Sequence, residues 1–172
     1  MEQIRLYSGA MFSGKSLNLI LDYDCETGTK EVFKVGTDTR NKGYIFSRAI
    51  DKTVPCVTVE HIIDCLKTNV DHIFIDEFQF AHPEEMLEVI RACRKANKKL
   101  SIYGLDYLHN GEEWATYTAI KNEVDKEIKL KARCNVCGAA AEYTKLKSAS
   151  DSLIQIESEF AEYFPVCAKH FK

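Results

Sequence analysis

Ile4 and Leu6 alternate with polar residues and lead into Tyr7-Ser8-Gly9, the pattern of a short strand closed by a glycine. From Lys15 to about Cys25, Leu17, Ile20 and Leu21 recur on one face, which predicts a helix that Gly28 can stop. Val32-Phe33-Lys34-Val35 predicts a second strand. Residues 38–55 show little periodicity and contain Asn41, Gly43, Ser47 and Pro55, so a long loop is expected there. A short helical pattern covers Glu60 to Leu66, and His72-Ile73-Phe74-Ile75 is an apolar run suited to a buried parallel strand. Pro83-Glu84-Glu85 opens a helix in which Met86, Leu87, Val89, Ile90 and Cys93 supply the apolar face. Leu100-Ser101-Ile102-Tyr103 is a further strand. Strands alternating with helices predict an α/β fold, a mostly parallel sheet with helices on both faces. Past about Leu130 the pattern gives way to cysteine pairs and short segments. The expected division is an α/β core over 1–130 and a small second unit over 131–172.

The 172 residues are 45% hydrophobic and 28% charged, with 23 Lys+Arg against 26 Asp+Glu. That mixture can bury a core and excludes a mainly disordered chain. A net charge of −3 argues against a general duplex-DNA binder, which needs a basic excess to neutralise phosphates. Lys126, Lys129, Lys131 and Arg133 alternate with Glu127, Ile128, Leu130 and Ala132 and read as one solvated strand face. No apolar run is long enough to span a bilayer, and Met1-Glu2-Gln3-Ile4-Arg5 lacks a signal-peptide core, so the expected compartment is the cytoplasm.

Gly9-Ala10-Met11-Phe12-Ser13-Gly14-Lys15-Ser16 fits G-x-x-x-x-G-K-[ST] in full, with a strand before it and a helix after. The glycines let backbone N–H groups turn inward around phosphate oxygens, and the helix N-terminus adds its dipole. Lys15 is expected to reach the β- and γ-phosphates and Ser16 to ligate Mg²⁺. Asp76 lies just past an apolar strand, where open α/β sheets bind ligands, and suits a second Mg²⁺ contact. Glu77 follows it, so one carboxylate can serve the metal and the other act as a base.

Seven cysteines divide into two groups. Cys25, Cys56, Cys65 and Cys93 stand singly among apolar or helical neighbours and read as small buried hydrophobes. Cys134-Asn135-Val136-Cys137-Gly138 is followed 29 residues later by Cys167-Ala168-Lys169-His170. Two C-x-x-[C/H] knuckles supply a Cys₃His set, the donor chemistry of a structural Zn²⁺ site. His61, His72 and His82 have no such partners and read as surface or hydrogen-bonded histidines.

Together these features resemble the type II, cytosolic-type thymidine kinases over nearly the whole chain. Residues 9–16 resemble the family's phosphate loop, Asp38-Thr39-Arg40 its D-T-R segment, and Asp76-Glu77-Phe78-Gln79-Phe80 its D-E-x-Q-F motif. Gly104-Leu105-Asp106 to Trp114 matches the start of its lasso loop. Tyr143-Thr144-Lys145 and Tyr163 match the segment that clasps the nucleoside. The resemblance implies a P-loop NTPase-like core plus a zinc-bound unit carrying the lasso. It also implies transfer of the γ-phosphoryl of ATP to the 5′-hydroxyl of thymidine. On that footing Glu77 is the base. The loop residues Gly9, Ala10, Met11, Phe12, Ser13, Gly14, Lys15 and Ser16, with Asp38, Arg40, Asp76 and Gln79, hold Mg²⁺ and ATP. Met11, Phe80, Leu105, Trp114, Thr144 and Tyr163 line the base pocket, and the enzyme is a tetramer. His109 stands where the family has a stacking Phe, Trp114 replaces a second Phe, and Ser158-Glu159 replaces a Gly-Gly pair. A P-loop ATPase whose zinc ribbon binds nucleic acid or protein is the rival reading, and ATP consumption without a nucleoside would mark it.

Overall fold

The computed structural model of the chain describes residues 2–36, 43–146 and 163–172. Six strands form the main sheet: β1 (Ile4–Gly9), β2 (Lys30–Val35), β5 (Val57–Val59), β6 (His72–Asp76), β7 (Lys99–Gly104) and β8 (Lys126–Leu130). Their spatial order is β5-β2-β6-β7-β1-β8, and every pairing is parallel. Parallel strands present all their C-terminal ends along one edge, where ligand sites of such sheets form.

Both faces are covered, as the short apolar runs of β6 and β7 require. On one face Ile4, Leu6, Phe33, Ile73, Ile75, Leu100 and Ile102 pack against helix α2 (Pro83–Lys95), helix α3 (Ala115–Ile120) and a 3-10 helix over Ile62–Lys67. On the other, Tyr7, Val32, Phe74 and Tyr103 pack against Leu19 and Ile20 of helix α1 (Lys15–Cys25). Tyr7 and Tyr103 stack there at 4.5 Å, and the Tyr103 hydroxyl donates to Asp22 of α1 at 2.6 Å.

The structure corrects three expectations. Residues 44–55 are not a loop but an antiparallel hairpin of β3 (Tyr44–Ser47) and β4 (Lys52–Pro55). Ile45 and Val54 are its buried contacts under α1, and two apolar positions in four-residue strands carry too little periodicity to announce it. Cys25 is exposed at the end of α1, while Cys56, Cys65 and Cys93 are buried. The basic residues near 126–133 do not share one solvated face. Successive strand residues point to opposite sides, so Lys126 and Lys129 diverge, and Lys129 contacts Asp106 at 3.1 Å.

Beyond Leu130 the chain forms two short antiparallel pairs, β9 (Ala132–Arg133) with β10 (Ala140–Ala141) and β11 (Tyr143–Leu146) with β12 (Tyr163–Val166), and ends in helix α4 (Ala168–Phe171). Ala132, Cys134, Ala141 and Val166 form a separate small core. No helix among the described residues is long and apolar enough to cross a membrane.

Candidate active site

β1 delivers the loop 9–16 to the C-terminal edge of the sheet, beside the ends of β7 and β6. The start of the loop is pressed against β8: a Cβ on Gly9 would lie 2.4 Å from the Leu130 carbonyl oxygen, so only glycine fits. Gly14 enters α1 with φ 87°, a left-handed conformation that costs glycine little. Phe12 also has a positive φ, 61°, and its side chain is exposed. Helix α1 begins with no side-chain cap and no acidic residue in its first turn. A helix start of this kind, at the end of a glycine loop, suits an anion. Helix α2 begins in the opposite way, with Pro83, Glu84 and Glu85 in its first turn and the His82 ring accepting from the Glu84 N–H at 3.2 Å. The Lys15 ammonium donates to the carbonyls of Ala10 at 2.5 Å and Gly9 at 3.2 Å and to the Ser13 hydroxyl at 3.2 Å.

Asp76 closes β6 and is buried. Its Oδ1 accepts the Glu77 N–H at 3.0 Å, and Glu77 itself sits in the left-handed region at φ 59°. A non-glycine residue held there stores backbone strain, which proteins concentrate at working sites. The Gln79 amide bridges two elements: it donates to the Glu77 carboxylate at 2.5 Å and accepts the Leu105 N–H at 3.1 Å. Gln79 therefore joins Glu77 to the loop after β7. Asp38, Arg40, Ser158 and Glu159 lie outside the described residues.

A cleft partly open to solvent has Glu77 and Gln79 in its lining. All six residues expected to line a base pocket, Met11, Phe80, Leu105, Trp114, Thr144 and Tyr163, line this cleft. His109 is in its wall, with Tyr107 and Leu108, which lie inside the 104–114 segment but are not singled out there, because nothing in their own spacing marks which residues of a loop face a pocket. Phe80 meets Trp114 edge to face at 5.5 Å. The Trp114 indole N–H is buried and has no partner among the described residues. Thr144 is buried, and its hydroxyl oxygen accepts the Met11 N–H at 3.0 Å, which ties the C-terminal unit to the phosphate loop. That hydroxyl keeps a proton to donate.

Cys134, Cys137, Cys167 and His170 converge so that their ligand atoms lie within 4.8 Å of one another. Cys137 and Cys167 sulfurs are 3.8 Å apart, and His170 Nδ1 lies 3.7 Å from Cys134 and 3.3 Å from Cys167. A tetrahedron with metal–sulfur bonds of about 2.3 Å has sulfur–sulfur edges of about 3.8 Å, so the donor set fits a Zn²⁺ ion. Desolvation raises the Cys134 thiol, but backbone N–H groups of Cys167, Cys137 and Val136 outweigh it and bring it down to about 6. The remaining histidines are engaged elsewhere. His72 bonds Glu26 and Ser101, His61 meets Glu85 at 3.4 Å, and His82 caps α2.

Compared with known proteins, residues 2–171 match the sequence model of the thymidine kinase family. A thymidine kinase of Ureaplasma urealyticum is 33% identical over 190 residues, covering 98% of this chain and 82% of that protein. One of Mycoplasma genitalium is 31% identical over 160 residues, covering 86% and 73%. One of Pseudothermotoga lettingae is 27% identical over 172 residues, covering 96% and 92%.

Proposed function

The chain belongs to the thymidine kinase family, and from that premise we propose that it is an ATP-dependent thymidine kinase whose residues divide the reaction as follows. The loop 9–16 holds the ATP phosphates through backbone N–H groups, and the Lys15 ammonium leaves its loop carbonyls for the β- and γ-phosphates. Mg²⁺, when bound with ATP by Ser16 and Asp76, neutralises phosphate charge. Asp38 and Arg40 join this side by resemblance. Thymidine lies in the cleft with its base between Met11, Phe80, Leu105, Trp114 and Tyr163, and Thr144 offers its hydroxyl. Glu77 takes the proton of the 5′-hydroxyl as that oxygen bonds to the γ-phosphorus and the bond to the β-phosphate oxygen breaks, giving dTMP and ADP. Gln79 holds the Glu77 carboxylate in place. The Cys₃His cluster holds a structural Zn²⁺, and the seven unpaired thiols suit a reducing cytoplasm. The family resemblance extends to a homotetramer, which native mass measurement checks.

The observation that carries this reading is that one cleft is lined together by Met11 of a complete phosphate loop, by Glu77 after β6 and by the apolar side chains of Phe80, Leu105 and Trp114. The test is a nucleoside panel at fixed Mg·ATP. Thymidine should be phosphorylated best, deoxyuridine should lose about 1–3 kcal/mol in kcat/KM for the missing methyl, and purine nucleosides should be refused. ATP consumption that ignores thymidine would identify an ATPase instead. A preference for deoxycytidine or a purine would point to His109 and Ser158-Glu159.

A further inference from the structure

The segment after β7 closes on itself. The Leu108 N–H donates to the Glu112 carbonyl at 2.7 Å, the Gly111 N–H to the Leu108 carbonyl at 2.9 Å and the Trp114 N–H to the Asp106 carbonyl at 2.9 Å. These bonds give residues 105–114 a shape but do not attach them to the sheet. Beside the Leu105 N–H bond to Gln79, the Asp106 carboxylate ties them to β8. Asp106 is 3% exposed. One of its oxygens accepts the Tyr107 N–H at 2.9 Å, and the other accepts from the Lys129 ammonium at 3.1 Å.

Lys129 comes from β8, next to the strand that carries the phosphate loop. Its ammonium also stands over the rings of Tyr107 at 5.2 Å and Tyr117 at 4.8 Å and lies 3.4 Å from Glu127. Glu127 in turn accepts from the hydroxyls of Tyr117 at 2.6 Å and Ser8 at 2.8 Å. Ser8 directly precedes the loop 9–16, and Leu130, the residue after Lys129, lies against Gly9. One edge strand therefore supports both substrate loops. A buried carboxylate left without its cation is costly, so the Asp106–Lys129 contact favours this placement of the loop over others.

We propose that Lys129 is a positioning residue for nucleoside binding: its ammonium, held between Asp106, Tyr107 and Tyr117, fixes the 105–114 wall of the cleft relative to the phosphate loop without touching either substrate. The kinetic consequence rests on the thymidine kinase reading; the structural one does not. Trp114, the only tryptophan of the chain, lies in that wall and reports on it directly.

The experiment compares Lys129→Met, Lys129→Arg, Asp106→Asn and the Met/Asn double variant, each as the full chain. Substrate-free protein is followed by hydrogen exchange of peptides covering 105–114 and by Trp114 emission, and the active protein by KM for thymidine and for ATP. Lys129→Met should raise exchange across 105–114 and red-shift Trp114. It should raise the thymidine KM about tenfold and leave the ATP KM within about twofold. Lys129→Arg should recover most of the loss. The double variant should be no worse than the poorer single variant, because one contact is removed in each case. Unchanged exchange in 105–114, additive losses, or an equal rise in both KM values would overturn the proposal. A loosened loop in a protein whose parent does not phosphorylate thymidine would refute the proposed function and leave the role of Lys129 standing.

Discussion

Eight consecutive residues make the phosphate loop, whereas the cleft beside it takes its walls from residues as far apart as Met11, Phe80, Trp114 and Tyr163. The loop depends on backbone geometry: Gly9 against Leu130, Gly14 in the left-handed region, and an α1 start with no capping side chain. The cleft depends on packing between elements. A run of aromatic contacts meets it at Tyr107 and links core to C-terminal unit, Tyr117 to Tyr107 at 6.3 Å, Tyr107 to Tyr143 at 5.3 Å and Tyr143 to Phe171 at 4.6 Å. Phe171 also packs on Gly111 and directly follows His170 of the Cys₃His cluster. A phosphate is the same charged object in every nucleotide, so a local turn with inward N–H groups suffices. A nucleobase has flat ring faces and a polar edge, and a slot for it has to be assembled from several surfaces.

The contrast can be tested at decreasing scale. Glu77 lies where the two regions meet, so its loss should strike the chemistry and spare both binding steps. Glu77→Gln should lower kcat by about 10²–10⁴-fold while KM for ATP and for thymidine changes little, as measured by steady-state kinetics. Near-normal turnover would remove Glu77 from the role of base. Disturbing the Cys₃His cluster should separate the two regions. Purified protein should carry about one zinc per chain. Cys134→Ser should raise the thymidine KM by about 10–100-fold and the ATP KM far less, because the aromatic run ends at the cluster while the loop 9–16 stands on β1. Zinc-free protein with normal thymidine binding would break the link between cluster and cleft.

The smallest effect should come from a site belonging to neither region. Glu26 accepts from His72 at 2.7 Å, from the Gly28 N–H at 3.2 Å and from Lys99 at 3.3 Å. The His72 hydrogen bond leads in lowering its carboxyl from the ordinary 4.5 to about 2. A carboxyl held low when folded adds stability that is complete above its ordinary value and disappears as pH falls through its folded one. Glu26→Gln should therefore lower Tm at pH 7, and the gap from the parent should narrow as pH drops from about 4.5 towards 2. Both KM values at neutral pH should be unchanged. A gap that stays constant across that range would show that the Glu26 charge adds nothing.

Two kinds of information were read from this chain. The phosphate loop, the Asp76-Glu77 pair at a strand end, the two metal knuckles and a sheet covered on both faces were all visible in the sequence. Each is written in a few neighbouring residues or in a period of two or 3.6. The family resemblance also named six cleft residues that the fold does bring together. Only the tertiary structure turned 44–55 into a hairpin, added Tyr107 and Leu108 to the cleft, set Gln79 between Glu77 and Leu105, and seated Lys129 against Asp106. Those features join residues distant in the chain: Gln79 and Leu105 are 26 positions apart, Lys129 and Asp106 are 23 apart, and the cleft brings Met11 together with Tyr163. Local propensity follows from a residue's own dihedrals and near neighbours, but a partner from another element is chosen by which surfaces the packed sheet brings face to face, and that choice exists only once the chain has folded.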